Sequence, residues 1–160
     1  MQHATYGSTT NFYVTTEDKR IDTTVPSTQI RFLVKFTNDL SGNVKYAYGQ
    51  SQTIRERYTD FSFTHNTTEN VFTGAINLTP FGYYKYEVYE VSFNGTVPTL
   101  DANTAPINET DAANNTGSVH GVVKGLVEQG KLLVSETVGS EQVKYTQYTE
   151  TTSTNYIHIN

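Results

Sequence analysis

The chain has 160 residues, 16 acids against 11 lysines and arginines, a net charge of −5, and neither cysteine nor tryptophan. That is the length of one domain able to bury its own core, and the missing cysteines exclude disulfides, thiol catalysis and thiolate metal sites. Arg55 and Arg57 are the only close arginine pair, so no basic stripe exists to neutralise phosphates and direct nucleic-acid binding is not expected.

The first residues, MQHATYGSTT, hold neither a basic region followed by an apolar run nor a membrane-length span. The expectation is a protein made and folded in the cytosol, with no membrane partner. The 27 threonines, 12 tyrosines and 8 phenylalanines suit a pleated, half-buried surface, which points to an all-β protein. Period-2 alternation carries the same message along the chain. TNFYVTT (10–16) predicts an early strand and EDKR a solvated turn after it. QIRFLVKF (29–36) sets Ile30, Phe32, Val34 and Phe36 on one face and Arg31, Leu33 and Lys35 on the other, so one side reads as buried and the other as mostly wet. TNDLSGN then turns into VKYAY (44–48), a hairpin. IRERY (54–58) fits either a helical turn or a polar connection. DFSFT (60–64) and VFTGAINL (71–78) read as strands, the second with Phe72, Ile76 and Leu78 in one parity. GYYKYEVYEVSF (82–93) is a long strand, and KLLVSETV (131–138) the last of the body.

Two segments depart from a minimal sandwich. Residues 94–120 carry three acids (Asp101, Glu109 and Asp111), two prolines, and no lysine or arginine. A connection that long without its own structure is usually functional or disordered. The second is the extension 140–160, weakly alternating, with Tyr145, Tyr148 and Tyr156. The expected organisation is a body over 1–139 containing the 94–120 insertion, followed by this extension, possible docking material for a partner.

The stretch FTGAINLTPFGYYKYEV (72–88) resembles the E–F corner of immunoglobulin-like domains. In that comparison Tyr84 is the corner tyrosine, whose hydroxyl bonds back to upstream backbone. Tyr86 stands where an antibody-type domain has its second cysteine, and Val88 follows on the same face. With no cysteine pair or strand-C tryptophan, only a cysteine-free relative fits. The implied fold is an immunoglobulin-like β-sandwich with a long acidic loop insertion and an extended C-terminal segment. Tyr84, Tyr86 and Val88 should point inward. Tyr83, Lys85, Glu87 and Tyr89 should lie outside, with Lys85 and Glu87 wet.

A wider resemblance follows the order NFYVTTEDKR, IRFLVKFTNDLSGNVKYAY, RERYTDFSF, GYYKYEVYEVS and GLVEQGKLLV. It looks like small β-rich virion structural proteins of tailed phages infecting Bacteroidetes, including crAss-like phages. The resemblance implies a virion component, with head decoration or auxiliary capsid ahead of a neck or tail adaptor. The major capsid protein or other virion proteins are then the partners, and the particle, assembled in the bacterial host cytoplasm, is the location. No catalytic or binding residue is carried over.

The chemistry points away from an enzyme and from any cofactor. His3, His65, His120 and His158 lack metal-ligand spacing. DANTAPINETD (101–111) resembles a calcium loop, but Ala105 and Pro106 occupy places for a ligand and the sharp-turn glycine. Glu87 and Glu90 fall on opposite faces of one strand, so they cannot pair as acid and base. No nucleophile-elbow, phosphate-loop or dinucleotide motif occurs. Five Asn-X-Thr sequons, at Asn66, Asn77, Asn94, Asn108 and Asn114, read as chance products of composition. Two functional expectations remain. A structural virion protein would dock through Asp101, Glu109, Asp111, Tyr145, Tyr148 and Tyr156, with self-association possible through sheet edges. A carbohydrate-binding or adhesin module would instead present Tyr83 and Tyr89 to a glycan.

Overall fold

The structure is a computed structural model that describes residues 1–111 and 118–136. Nine strands follow in order: β1 (Gln2–Thr5), β2 (Thr9–Val14), β3 (Ile30–Asn38), β4 (Val44–Tyr48), β5 (Gln52–Ile54), β6 (Thr59–His65), β7 (Ala75–Ile76), β8 (Gly82–Phe93) and β9 (Gly121–Ser135). Apart from two single-turn 3-10 segments, no helix occurs among the described residues. The protein is all-β.

A large sheet has the order β1-β9-β8-β3-β4, and a small sheet the order β2-β6-β5 with β7 beside β6. Pairings are antiparallel except β1 with β9 and β6 with β7, so both sheets are mixed. The inward side chains that alternation marks on β2, β3, β6 and β8 meet between the sheets. At the centre Phe12, Phe36, Phe61, Phe63 and Tyr86 pack edge to face at 5.2–5.8 Å. Edge-to-face pairs add about 0.5–1.5 kcal/mol each beyond the area they bury, which makes this aromatic knot the main anchor of the two sheets.

The large sheet's other face is not the wet surface that alternation predicts. Leu33, Tyr48, Val91 and Phe93 are fully buried there, and Val97, Leu100 and Ala105 of the insertion pack over them. Residues 94–111 therefore form a third layer that folds back over the strand they leave. Hydrophobic residues scattered through a polar segment have no period, so their common target was not visible in the sequence.

Two other expectations change, and one open alternative is decided. VFTGAINL is not a continuous strand: Gly74, at φ +72°, makes a turn that leaves only Ala75–Ile76 paired. That turn sends Phe72 against Tyr48 on the outer side, while Ile76 and Leu78 enter the central core. IRERY takes the polar-connection alternative: beyond Ile54, Arg55 N–H bonds to the Tyr58 carbonyl at 2.9 Å and closes a turn. The last strand starts at Gly121, ten residues before KLLV. Its early half is masked in sequence by Gly121, Gly125 and Gly130, and two register shifts against β8 leave Lys124 and Val127 unpaired.

Candidate interaction surfaces

Gly82 opens β8 at φ +124°, two residues after the proline of a cis Thr79–Pro80 peptide. The strand then alternates with Tyr84, Tyr86 and Val88 buried and Tyr83, Lys85, Glu87 and Tyr89 on the outer face. The Tyr84 hydroxyl donates to the Pro80 carbonyl at 2.7 Å, bridging the strand to its own approach. Asn38 donates to the same carbonyl at 3.2 Å, while its side-chain oxygen accepts from Leu40 and Ser41 N–H and shapes the β3–β4 turn. Tyr84 thus sits where the corner, the hairpin and the core meet.

The outer tyrosines have different surroundings. Tyr83 is 43% exposed, whereas Tyr89 packs against the covered outer cluster. Six residues of strand put them about 20 Å apart. They do not form one platform.

The insertion's acids all bond within the chain. Glu109 accepts from Lys35 Nζ and from the Tyr46 hydroxyl, each at 2.5 Å. Glu87 stands beside them, 3.9 Å from Lys35 and 2.9 Å from Lys85. Burial favours the neutral Glu109 carboxyl, but the bonds from Lys35 and Tyr46 outweigh it and leave its pKa below the usual range. The same contact raises Lys35, and burial together with the Glu109 bond pushes Tyr46 up to about 12. The Tyr48 hydroxyl donates to the Pro106 carbonyl at 2.8 Å, a second tie under the layer. Asp101 accepts from Asn103 and Thr104 N–H in its own turn, and Asp111 from Ile107 N–H. Lys85 and Glu87 are accordingly half-buried, ion-paired residues rather than freely wet ones. Tyr145, Tyr148 and Tyr156 lie outside the described residues.

Glu90 is fully buried on the inner face, and its two oxygens accept from Ile21 N–H at 2.9 Å and Asp22 N–H at 2.7 Å. Asp22 in turn accepts from the Thr24 hydroxyl and N–H and from the Ser92 hydroxyl, and lies 3.2 Å from Lys124 Nζ. The Thr24 hydroxyl, then that of Ser92, holds the Asp22 carboxyl well below the ordinary carboxylate range. This knot pins the β2–β3 connection across the end of the sandwich; Lys19 pairs with Glu128 and Ile21 lies over Gly125 along the same line. A recess of about 170 Å³ beside it is lined by Asp22, Ser92, His120 and Lys124. The available signal was parity: Glu90 shares the inward register of Tyr84, Tyr86 and Val88.

Exposed apolar side chains gather at the opposite end. Leu40 is 90% exposed at the β3–β4 turn. Next to it, Asp39 N–H bonds to the Tyr83 carbonyl, and Val44, Phe81 and Tyr83 are exposed around the same corner. Among the described residues, no group of three or more His, Asp or Glu side chains could hold a metal ion. The chain matches no protein-family model, no curated protein and no solved structure.

Proposed function

We propose that the chain is a non-enzymatic structural component of a tailed-phage virion, a head decoration or auxiliary capsid protein built on an immunoglobulin-like sandwich. The Tyr84-to-Pro80 bond supports the immunoglobulin-like reading. The ordered run of segments resembling phage virion proteins supports the virion reading.

The observation that carries docking is the apolar end formed by Leu40, Val44, Phe81 and Tyr83. Leu40, the most exposed large hydrophobic among the described residues at 90%, is the kind of apolar side chain that marks a contact site. It sits on a turn held by Asn38 and by the Lys131–Asp39 pair, so little conformational entropy is lost when it is covered. The partner in this reading is the major capsid protein or a neighbouring virion protein. Glu109 already bonds Lys35 and Tyr46 of the same chain.

Quantitative mass spectrometry of purified particles from the phage encoding this chain tests the proposal through its ratio to the major capsid protein. A ratio near unity or a simple fraction of it places the chain on the capsid lattice. A handful of copies moves it to a vertex, neck or tail, and absence from the particle refutes the virion reading. Leu40→Asp should lower incorporation while leaving the purified protein folded.

A further inference from the structure

The small sheet's outer face differs in chemistry from the rest of the molecule. The strands of the large sheet carry nine charged side chains, those of the small sheet only Asp60. Solvent-facing sheet surfaces are ordinarily kept soluble by interspersed charge. This one is laid out in hydroxyls and amides. Register sets Thr9 beside Thr64 and Asn11 beside Ser62, with Tyr13 beside Asp60 at the end. Neighbours lie about 4.8 Å apart across the strands and about 6.7 Å apart along them.

The hydroxyls hold one another in place. Thr9 and Thr64 Oγ1 are 3.1 Å apart, and Thr64 also donates to the Gln50 side-chain oxygen at 2.7 Å. Each hydroxyl so engaged keeps unused hydrogen-bonding capacity toward solvent. At one end stand Tyr13, 53% exposed, and Tyr58, 38% exposed, with ring centroids 5.9 Å apart. The Arg55 guanidinium lies 5.8 Å from the Tyr58 ring centre, and an open groove of about 550 Å³ runs along Ile54 to Tyr58.

We propose that this face, from Thr9 and Thr64 to the Tyr13–Tyr58 pair, binds a neutral glycan chain. The argument is complementarity of chemistry. A sugar offers hydroxyls that exchange hydrogen bonds with the array and an apolar C–H face that packs on tyrosine, whose ring is apolar and whose tip is polar. A protein interface would need an apolar centre, which the array lacks. A nucleic acid would need cations along its path, and the arginines stand at one end only. The site is independent of the virion reading, because it uses neither the Leu40 end nor the insertion. It also differs from a Tyr83–Tyr89 platform, whose rings are too far apart to share a sugar.

The test uses the full chain on a printed array of neutral and acidic oligosaccharides, followed by native electrophoresis in gels containing yeast mannan, dextran or gastric mucin. Retention by a neutral glycan that persists as salt is raised is expected. Tyr13→Ala and Tyr58→Ala should each weaken it about tenfold, the scale of one lost aromatic contact. Leu126→Ala, on the far sheet, should not change it. Asn11→Arg, at an exposed position, should weaken retention without altering the melting temperature and guards against a folding artefact. No retention on the array or in any gel, retention unchanged by the tyrosine and Asn11 variants, or retention confined to polyanions and abolished by salt would each overturn the proposal.

Discussion

Replacing Glu90 by leucine asks whether a fully buried carboxylate holds this fold together or strains it. In the native protein its two oxygens take the N–H groups of Ile21 and Asp22 at 2.9 and 2.7 Å. Hydrogen bonds to a charged acceptor contribute about 1.5–3 kcal/mol each. Leucine restores the several kcal/mol that keeping the charge out of water costs, and it adds apolar contact. It cannot supply acceptors, and the two donors are backbone groups that no side-chain change removes. The donors' unmet bonding is the larger effect, and the net expectation is a loss of about 2–4 kcal/mol. With a urea m-value of about 2 kcal/mol/M, the midpoint should fall by about 1–2 M at constant m. Unfolding is followed by tyrosine fluorescence and far-ultraviolet circular dichroism, since the chain has no tryptophan. Glu90→Gln keeps one acceptor and turns an amide toward the second donor, so it should fall between wild type and leucine. Amide exchange should quicken at Ile21 and Asp22 before it does in the central strands. A leucine variant as stable as wild type, with the same m, would refute the reasoning: the charge would then cost more than its bonds return.

Tyr84→Phe should cost about 1 kcal/mol, at the lower end for a buried hydrogen bond, because the Pro80 carbonyl keeps its bond from Asn38; an unchanged urea midpoint would mean the corner bond contributes nothing. Gly130→Ala should cost about 1–3 kcal/mol, since an added Cβ would stand 2.6–2.9 Å from the Tyr86 ring and hydroxyl that cover this glycine from the opposite strand; a rise in melting temperature would contradict that packing. Acid should weaken the protein at both ties. Asp22 and Glu109 have folded pKa values below their unfolded ones, so their stabilisation is present above about pH 4 and is lost as pH falls through the folded values. Denaturant titrations from pH 7 downward should show that decline reduced in Glu109→Gln, and a decline of wild-type size in that variant would remove Glu109 as a cause.

Local rules read much of the body correctly. Alternation identified the inward residues of 29–36 and Tyr84, Tyr86 and Val88 of the long strand, because a strand can send every second side chain to only one core. The same rule erred at Leu33. It assigns a side chain to a face but says nothing of what covers that face. It erred again at 71–78, where Gly74 breaks the strand and sends Phe72 and Ile76 to different cores. The early half of β9 was hidden for a related reason. Glycine has poor strand propensity alone, and Gly130 is tolerated because Tyr86 on β8 fills the space above it. That compensation comes from a residue 44 positions away.

The interaction surfaces divide along the same line. Composition and period by themselves determined an all-β chain without disulfides and the inward set of β8, while the tyrosine at its start was implied by the resemblance to an immunoglobulin-like corner. These are consequences of backbone geometry and side-chain type within a few residues. Tertiary structure alone decided that Glu109 ties the third layer to Lys35 and Tyr46. It alone decided that Glu90 holds the β2–β3 connection, and that the small sheet gathers threonine, serine, asparagine and tyrosine on one nearly uncharged face. Each brings together residues dozens of positions apart, and a pairing across that distance is set by the order of strands in the sheets, which no local pattern encodes.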